Sequence, residues 1–205
     1  NNFREDYSIS TGSAKLSDYK FSGYDRGHLA PAGDMKSSYA AMSESFLMSN
    51  ISPQDPSFNR GIWKKLESLV RGWAENNYLH IVTAGILKGK LKTIGSSNVS
   101  VPRYFYKIIY ATNESKMIGF VIPNSKISSS LKNYVKSVDE IEKLTGIDFF
   151  YNLEDDLENK LEAESNIRDW DFSAVSTNSN SSGANAVQCK GVAKTSGNRC
   201  RNKTK

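Results

Sequence analysis

Apolar positions along the chain change period several times, and each change predicts an element. Ile62, Leu66, Leu69, Val70 and Trp73 recur at i, i+4, i+7, i+8 and i+11, the spacing of one buried helix face. Asp55 or Ser57 can cap such a helix and Pro56 fits its first turn, so a long helix is predicted over residues 56–77. Residues 79–87 read as a buried strand that carries His80 among Leu79, Ile81 and Val82. Residues 101–111 and 117–123 are aromatic and β-branched, and the polar run from Thr112 to Lys116 between them predicts a hairpin. A helix over 138–144 is stopped by Gly146, with Asp139 and Glu140 near its start and Lys143 near its end. Shorter helices are expected at 37–45 and 155–164, a short strand at 147–151, and irregular structure over 3–23. Helices and strands are interspersed, which predicts an α+β fold with a central, mostly antiparallel sheet flanked by helices.

Composition bounds the picture. At 205 residues, with 38% hydrophobic and 11% aromatic content, the chain can bury one substantial core. No apolar run approaches the roughly 20 residues that span a bilayer, so no membrane span is expected. The formal charge of +5 is concentrated at the C-terminal end. From Asp171 onward there are six basic residues and one acid, leaving 21 of each for residues 1–170. Any attraction for phosphate in the body must therefore come from local placement of arginines and metal.

A body over residues 1–170 is thus expected, its natural N-terminus lying upstream because the chain starts without Met. A flexible Ser/Asn-rich linker follows at 171–187, then a basic tail at 188–205. The tail holds Cys189 and Cys200; two cysteines do not complete a four-ligand zinc site, so the tail is expected to be incomplete. Disulfide, metal and free-thiol states of this pair stay open.

Candidate chemistry begins at Tyr24-Asp25-Arg26-Gly27-His28. An imidazole is the side chain best suited to take a proton from water near neutral pH. If these residues end a strand, alternation puts Arg26 and His28 on one face and Asp25 on the other. The guanidinium suits a phosphate, and its charge favours a neutral imidazole. An isolated D-x-x-H is more often a turn histidine than a base.

A second stripe runs along the predicted long helix: Asn59, Trp63, Glu67 and Arg71 at four-residue steps can line one wall of a cleft. An amide oxygen is a hard neutral ligand, and Mg²⁺ takes few protein ligands while keeping several waters. Asn59 could be its sole direct ligand, with Glu67 holding a metal-bound water and Arg71 a phosphate. Taken alone, the stripe is more often a solvated face on which Glu67 and Arg71 make an i, i+4 pair of roughly 0.3–0.5 kcal/mol.

The D-R-G-H box, followed by Asn50, Gln54, Asn59 and Glu67 at intervals of 4, 5 and 8, closely resembles the DNA/RNA non-specific endonuclease family, with its ββα-metal (His-Me finger) active site. The resemblance continues through Val82-Thr83-Ala84-Gly85, Pro102 to Lys107 and Ser137 to Gly146, roughly the whole body. It implies His28 as general base and Asn59 as the single protein ligand of Mg²⁺, for which Mn²⁺ or another divalent ion could substitute. It also implies Asp25, Asn50, Gln54 and Glu67 as positioning residues for substrate or metal-bound water, and Arg26 and Arg71 as phosphate contacts. The family's upstream basic residue has no counterpart here unless Arg4 replaces it.

The expected function is then a Mg²⁺-dependent, sugar-non-specific endonuclease that cuts DNA and RNA through backbone contacts and leaves 5′-phosphate and 3′-hydroxyl ends. Export or residence in the cell envelope goes with that resemblance. The oligomeric state, a dimer included, is not readable. Two alternatives are a nucleic-acid-binding module dominated by its basic tail and a metal phosphodiesterase for small substrates. Neither accounts for Asn50, Gln54, Asn59 and Glu67 standing together behind the histidine box.

Overall fold

Alternation along residues 104–111 decides the architecture. Phe105, Ile109 and Ala111 join one hydrophobic cluster while Tyr106, Ile108 and Tyr110 join another, so a single strand feeds two cores on opposite faces. The computed structural model describes residues 2–173 and, beyond them, the backbone of Val187–Gln188 and Val192–Ala193.

In chain order the strands are β1 (Asp25–His28), β2 (Ile51–Gln54), β3 (Leu79–Gly85), β4 (Lys92–Ile94), β5 (Val99–Val101), β6 (Tyr104–Ala111), β7 (Lys116–Pro123), β8 (Val135–Lys136) and β9 (Ile147–Asp148). The helices are α1 (Leu16–Tyr19), α2 (Tyr39–Glu44), α3 (Pro56–Phe58), α4 (Lys64–Ala74), α5 (Val138–Thr145) and α6 (Asp155–Ala163). Strands β3, β6, β7 and β8 pair antiparallel in that order. Val187–Gln188 adds a parallel pairing outside β3, and Val192–Ala193 pairs with β9. The predicted hairpin is present, from Tyr104↔Pro123 to Ala111↔Lys116.

Helix α4 covers one face of this sheet. Leu66 and Leu69 are fully buried there with Trp63, against Phe105, Ile118 and Phe120. Each such aliphatic side chain contributes roughly 1.5–3 kcal/mol by leaving water. Helices α5 and α6 cover the other face, where Val138, Ile141 and Leu161 meet Tyr106, Ile108 and Tyr110. The mixed helices and antiparallel strands are those expected. A separate antiparallel pair, β1 with β2, lies over a small cluster of Tyr19, Met48, Ile51, Ile94 and Val101, with His28 opposite Ile51 and Asp25 opposite Gln54.

Local signals hold where chemistry fixes them. The Asp55 carboxylate accepts from the Ser57 and Phe58 N–H groups, with Pro56 in the first turn. Ser137 and Glu140 form a reciprocal cap on α5, and Gly146 ends that helix at φ 74°.

Four expectations need correction. The helix over 56–77 is broken: α3 leads into a π-turn, Asn59–Trp63, where Gly61 has φ −103° and ψ −107°, and α4 ends at Ala74. The strand over 101–111 is two strands, because Pro102 has no N–H to donate; β5 pairs with β4 instead. The strand over 147–151 contracts to two residues, and the irregular 3–23 region contains α1. Past residue 170, the Trp73 indole donates to the Asp171 carbonyl at 2.6 Å, and the Phe172 ring lies 5.7 Å from that of Trp73. Apart from these contacts and the two short strands, the expected linker and tail, with Cys189 and Cys200, lie outside the described residues. Among the described residues no helix is long and apolar enough to cross a membrane.

Candidate active site

Strand β1 carries three polar side chains, Asp25, Arg26 and His28, and a glycine between the last two. His28 stands between two aromatic rings, 5.5 Å from Phe3 and 5.0 Å edge-on from Phe46. Neither ring nitrogen has a hydrogen-bond partner among the described residues, and Nε2 is buried. Burial pushes the imidazole pKa down, so the neutral, proton-accepting form is favoured. The cause is burial between the two rings and not the Arg26 charge expected to favour the neutral form. Arg26 itself is exposed and lays its guanidinium 4.4 Å from the same Phe3 ring, so it shares a side with His28 as alternation predicted.

Gly27 faces β2. A Cβ there would come within 2.1 Å of the Gln54 side chain, so only glycine allows the strands to cross this closely over that residue. Gln54 is fully buried, and both Oε1 and Nε2 are without partners among the described residues. Asn50 differs. Its Nδ2 donates to the Ala30 and Ser45 carbonyls at 2.9 and 2.8 Å, and its Oδ1 accepts from the Ala30 N–H at 2.9 Å. With that amide spent on backbone, Asn50 clamps the segment just after His28.

Asp25 reaches the π-turn. Arg60 grips it with two bonds, Nε to Oδ2 at 2.8 Å and Nη2 to Oδ1 at 2.6 Å, and Asn59 Nδ2 donates to Oδ2 at 2.9 Å. Burial pushes the Asp25 pKa up, but the bonds from Arg60 and Asn59 outweigh it and hold the carboxyl below its usual range. Asn59 is thereby oriented: its N–H end is committed, and no protein donor among the described residues reaches Oδ1. Asp25, Arg26, Asn59 and Arg60 line an open cleft of about 520 Å³ with Phe3 and Tyr24.

Glu67 and Arg71 occupy the next turns of the helix and do not make the i, i+4 pair of the solvated-face alternative. Arg71 donates to Asp34 at 2.7 Å and to Ser68 at 3.3 Å. Glu67 faces Lys107, whose side chain projects from β6 into the α4 core, donates to Thr83 Oγ1 at 2.6 Å and sits 5.1 Å from the Trp63 ring. Burial pushes Glu67 up and Lys107 down, and each group's charge opposes the other's shift.

Sequence reasoning missed Arg60, Asp34 and Lys107. Lys107 was readable: in Phe105-x-Lys107-x-Ile109-x-Ala111 it holds an inward position among apolar residues. Arg60 and Asp34 carry no such pattern. Arg4, weighed as an upstream phosphate contact, instead donates to the Ser43 and Asn2 carbonyls. His80 lies half-buried beside Tyr110, at 6.1 Å, away from these groups.

A hard divalent cation suits this donor set. Asn59 presents an uncommitted amide oxygen beside a carboxylate held ionised, and the orphaned Gln54 amide offers polar atoms for ordered water.

Comparison with known proteins gives a consistent match. The family model for DNA/RNA non-specific endonucleases matches residues 1–156. A nuclease of Syncephalastrum racemosum is 37% identical over 177 residues, covering 75% of this chain and 55% of that protein. The mitochondrial nuclease EXOG of Homo sapiens is 38% identical over 163 residues, covering 70% of this chain and 44% of that protein. The chain thus spans about half the length of these curated relatives. Among solved structures, the crystal structure of an EndoG/EndoGI complex matches with a TM-score of 0.68 and 31% identity, covering 75% of this chain and 70% of that one.

Proposed function

The chain belongs to the DNA/RNA non-specific endonuclease family, and from that premise we propose that it hydrolyses phosphodiester bonds in both DNA and RNA with a divalent cation of the Mg²⁺ class. The observation that carries the reading is the division of labour along β1. His28 sits in an apolar cage, while Asp25 orients Asn59 with its Oδ1 uncommitted.

His28 is the general base. It accepts a proton from a water positioned in line with the scissile bond; the water oxygen bonds to phosphorus, the P–O3′ bond breaks, and solvent returns a proton to the 3′ oxygen. A 5′-phosphate and a 3′-hydroxyl result. Arg26, exposed at the cleft, contacts non-bridging oxygens, and Arg71 contributes a charge partly offset by Asp34. Asn50 holds the segment following His28, and Gln54 and Glu67 hold ordered water. Asn59 would hold the cation, which when bound supplies Lewis-acid stabilisation of charge on the phosphate and the departing oxygen. Every contact in this scheme reaches the backbone of the nucleic acid, so selection between sequences is low.

Supercoiled plasmid and a structured RNA, each incubated with Mg²⁺ or EDTA, provide the test. His28→Ala should lower cleavage of both by about 10²–10⁴-fold while leaving the melting temperature near wild type. Cleavage retained by the folded variant would remove His28 as the base.

A further inference from the structure

We propose that Asp139, Glu142 and Glu162 form a second divalent-cation site, of the calcium class, on the face of the sheet opposite α4. Asp139 and Glu142 lie three residues apart on α5, and Glu162 comes from α6. One carboxylate oxygen from each falls within 4.8 Å of the others. That span is about twice a Ca–O distance of about 2.4 Å, so one ion can meet all three with little backbone movement.

Two features point to a ligand and not to a mere cluster of surface acids. Glu162 is only 5% exposed, and its Oε1 is buried with no hydrogen-bond donor among the described residues. An isolated carboxylate in that position is costly unless it gains a proton or a cation. Glu142, also buried, is fixed from another direction: its Oε1 accepts from the Phe149 N–H at 2.7 Å, which sets the carboxylate before any ligand arrives. Asp139 is half-buried and leaves a way in from solvent.

The charges acting most strongly on Glu162 are Glu142, Glu158, Asp139 and Asp148, all acidic. Burial first, and then these like charges, disfavour its ionised form. Calcium suits the set better than magnesium, because Mg²⁺ demands near-ideal octahedral geometry at about 2.1 Å and prefers to keep its waters. The ion would clip α6 to α5 and to the buried Phe149 backbone between them.

The test uses the full chain carrying Asn59→Ala, so that the cation of the proposed active site does not contribute. After EDTA treatment and dialysis, calcium chloride is titrated by calorimetry and by thermal melting. One equivalent should bind and raise the melting temperature by several degrees, magnesium chloride giving a smaller rise. Adding Glu162→Gln or Asp139→Asn should weaken binding at least about tenfold and remove the rise. Asp139→Asn decides the matter if the Glu162 variant does not fold. Absence of calcium binding in the Asn59→Ala chain, or binding unchanged by Asp139→Asn, would overturn the site.

Discussion

Behind α4 the sheet buries a lysine, and behind α5 and α6 it buries two glutamates, yet the neighbours of these charges differ. Lys107 faces Glu67 and bonds to Thr83, and Arg71 next along the helix meets Asp34. Opposite signs alternate, so the protein supplies its own counter-charges. Glu162 and Glu142 face Asp139, Asp148 and Glu158, all of one sign. The first arrangement is closed within the protein. The second gathers one sign around Glu162, whose buried Oε1 has no donor among the described residues.

Removing charge should therefore have opposite consequences on the two faces. The largest effect is expected from Lys107→Met, which leaves Glu67 facing a core without its cation. It should cost about 3 kcal/mol in denaturant unfolding, and adding Glu67→Gln should recover much of that. Equal losses in the single and double variants would show that the two groups are not coupled.

Across the sheet, Glu162→Gln should stabilise the metal-free protein at alkaline pH. The Glu162 pKa is raised from 4.5 to about 8, so between those values the folded state holds a proton that the unfolded state has released. Stability contributed by this group is full below pH 4.5 and is lost as pH rises through about 8. Melts from pH 4 to 9 in EDTA should show the wild type falling away from the variant over that window. Parallel curves would mean that Glu162 is not held protonated.

A smaller effect tests the uncharged cage at β1. Phe46→Ala opens His28 to water, which raises its pKa and moves the acid limb of the activity profile up toward the ordinary imidazole range. An unmoved limb would assign it to another group. The smallest effect belongs to an exposed pair, Lys136 with Glu140 at 2.8 Å. Both side chains are nearly half exposed, and Lys136→Ala should change stability by no more than about 0.5 kcal/mol.

The legibility of these regions in the sequence was uneven for physical reasons. Asp55 with Pro56, Ser137 with Glu140, and Gly146 announce helix ends because their roles are local, and the β6–β7 hairpin follows from composition across a short turn. Asp25, His28, Asn59 and Arg71 stand out in the sequence as candidates by residue type and interval. Their hydrogen-bond partners do not, because Arg60 on Asp25 spans 35 positions and Asp34 on Arg71 spans 37. Pairings of that separation leave no periodic trace. The Asp139–Glu142–Glu162 cluster was missed for the same reason, since α6 meets α5 only through the fold.

The π-turn between α3 and α4 also acts as a phase shifter. One extra residue in a turn rotates everything on its N-terminal side by about 100° relative to a straight helix. Asn59 and Arg60 are thereby dialled onto Asp25, while the Ile62-to-Trp73 stripe stays on the sheet. Deleting a single residue between Asn59 and Trp63 would restore an unbroken helix with every core contact C-terminal to it intact. It would also swing the amide of Asn59 off its carboxylate. In this segment the more regular helix is the one that parts Asn59 from Asp25, and a one-residue length change is a larger perturbation than many substitutions.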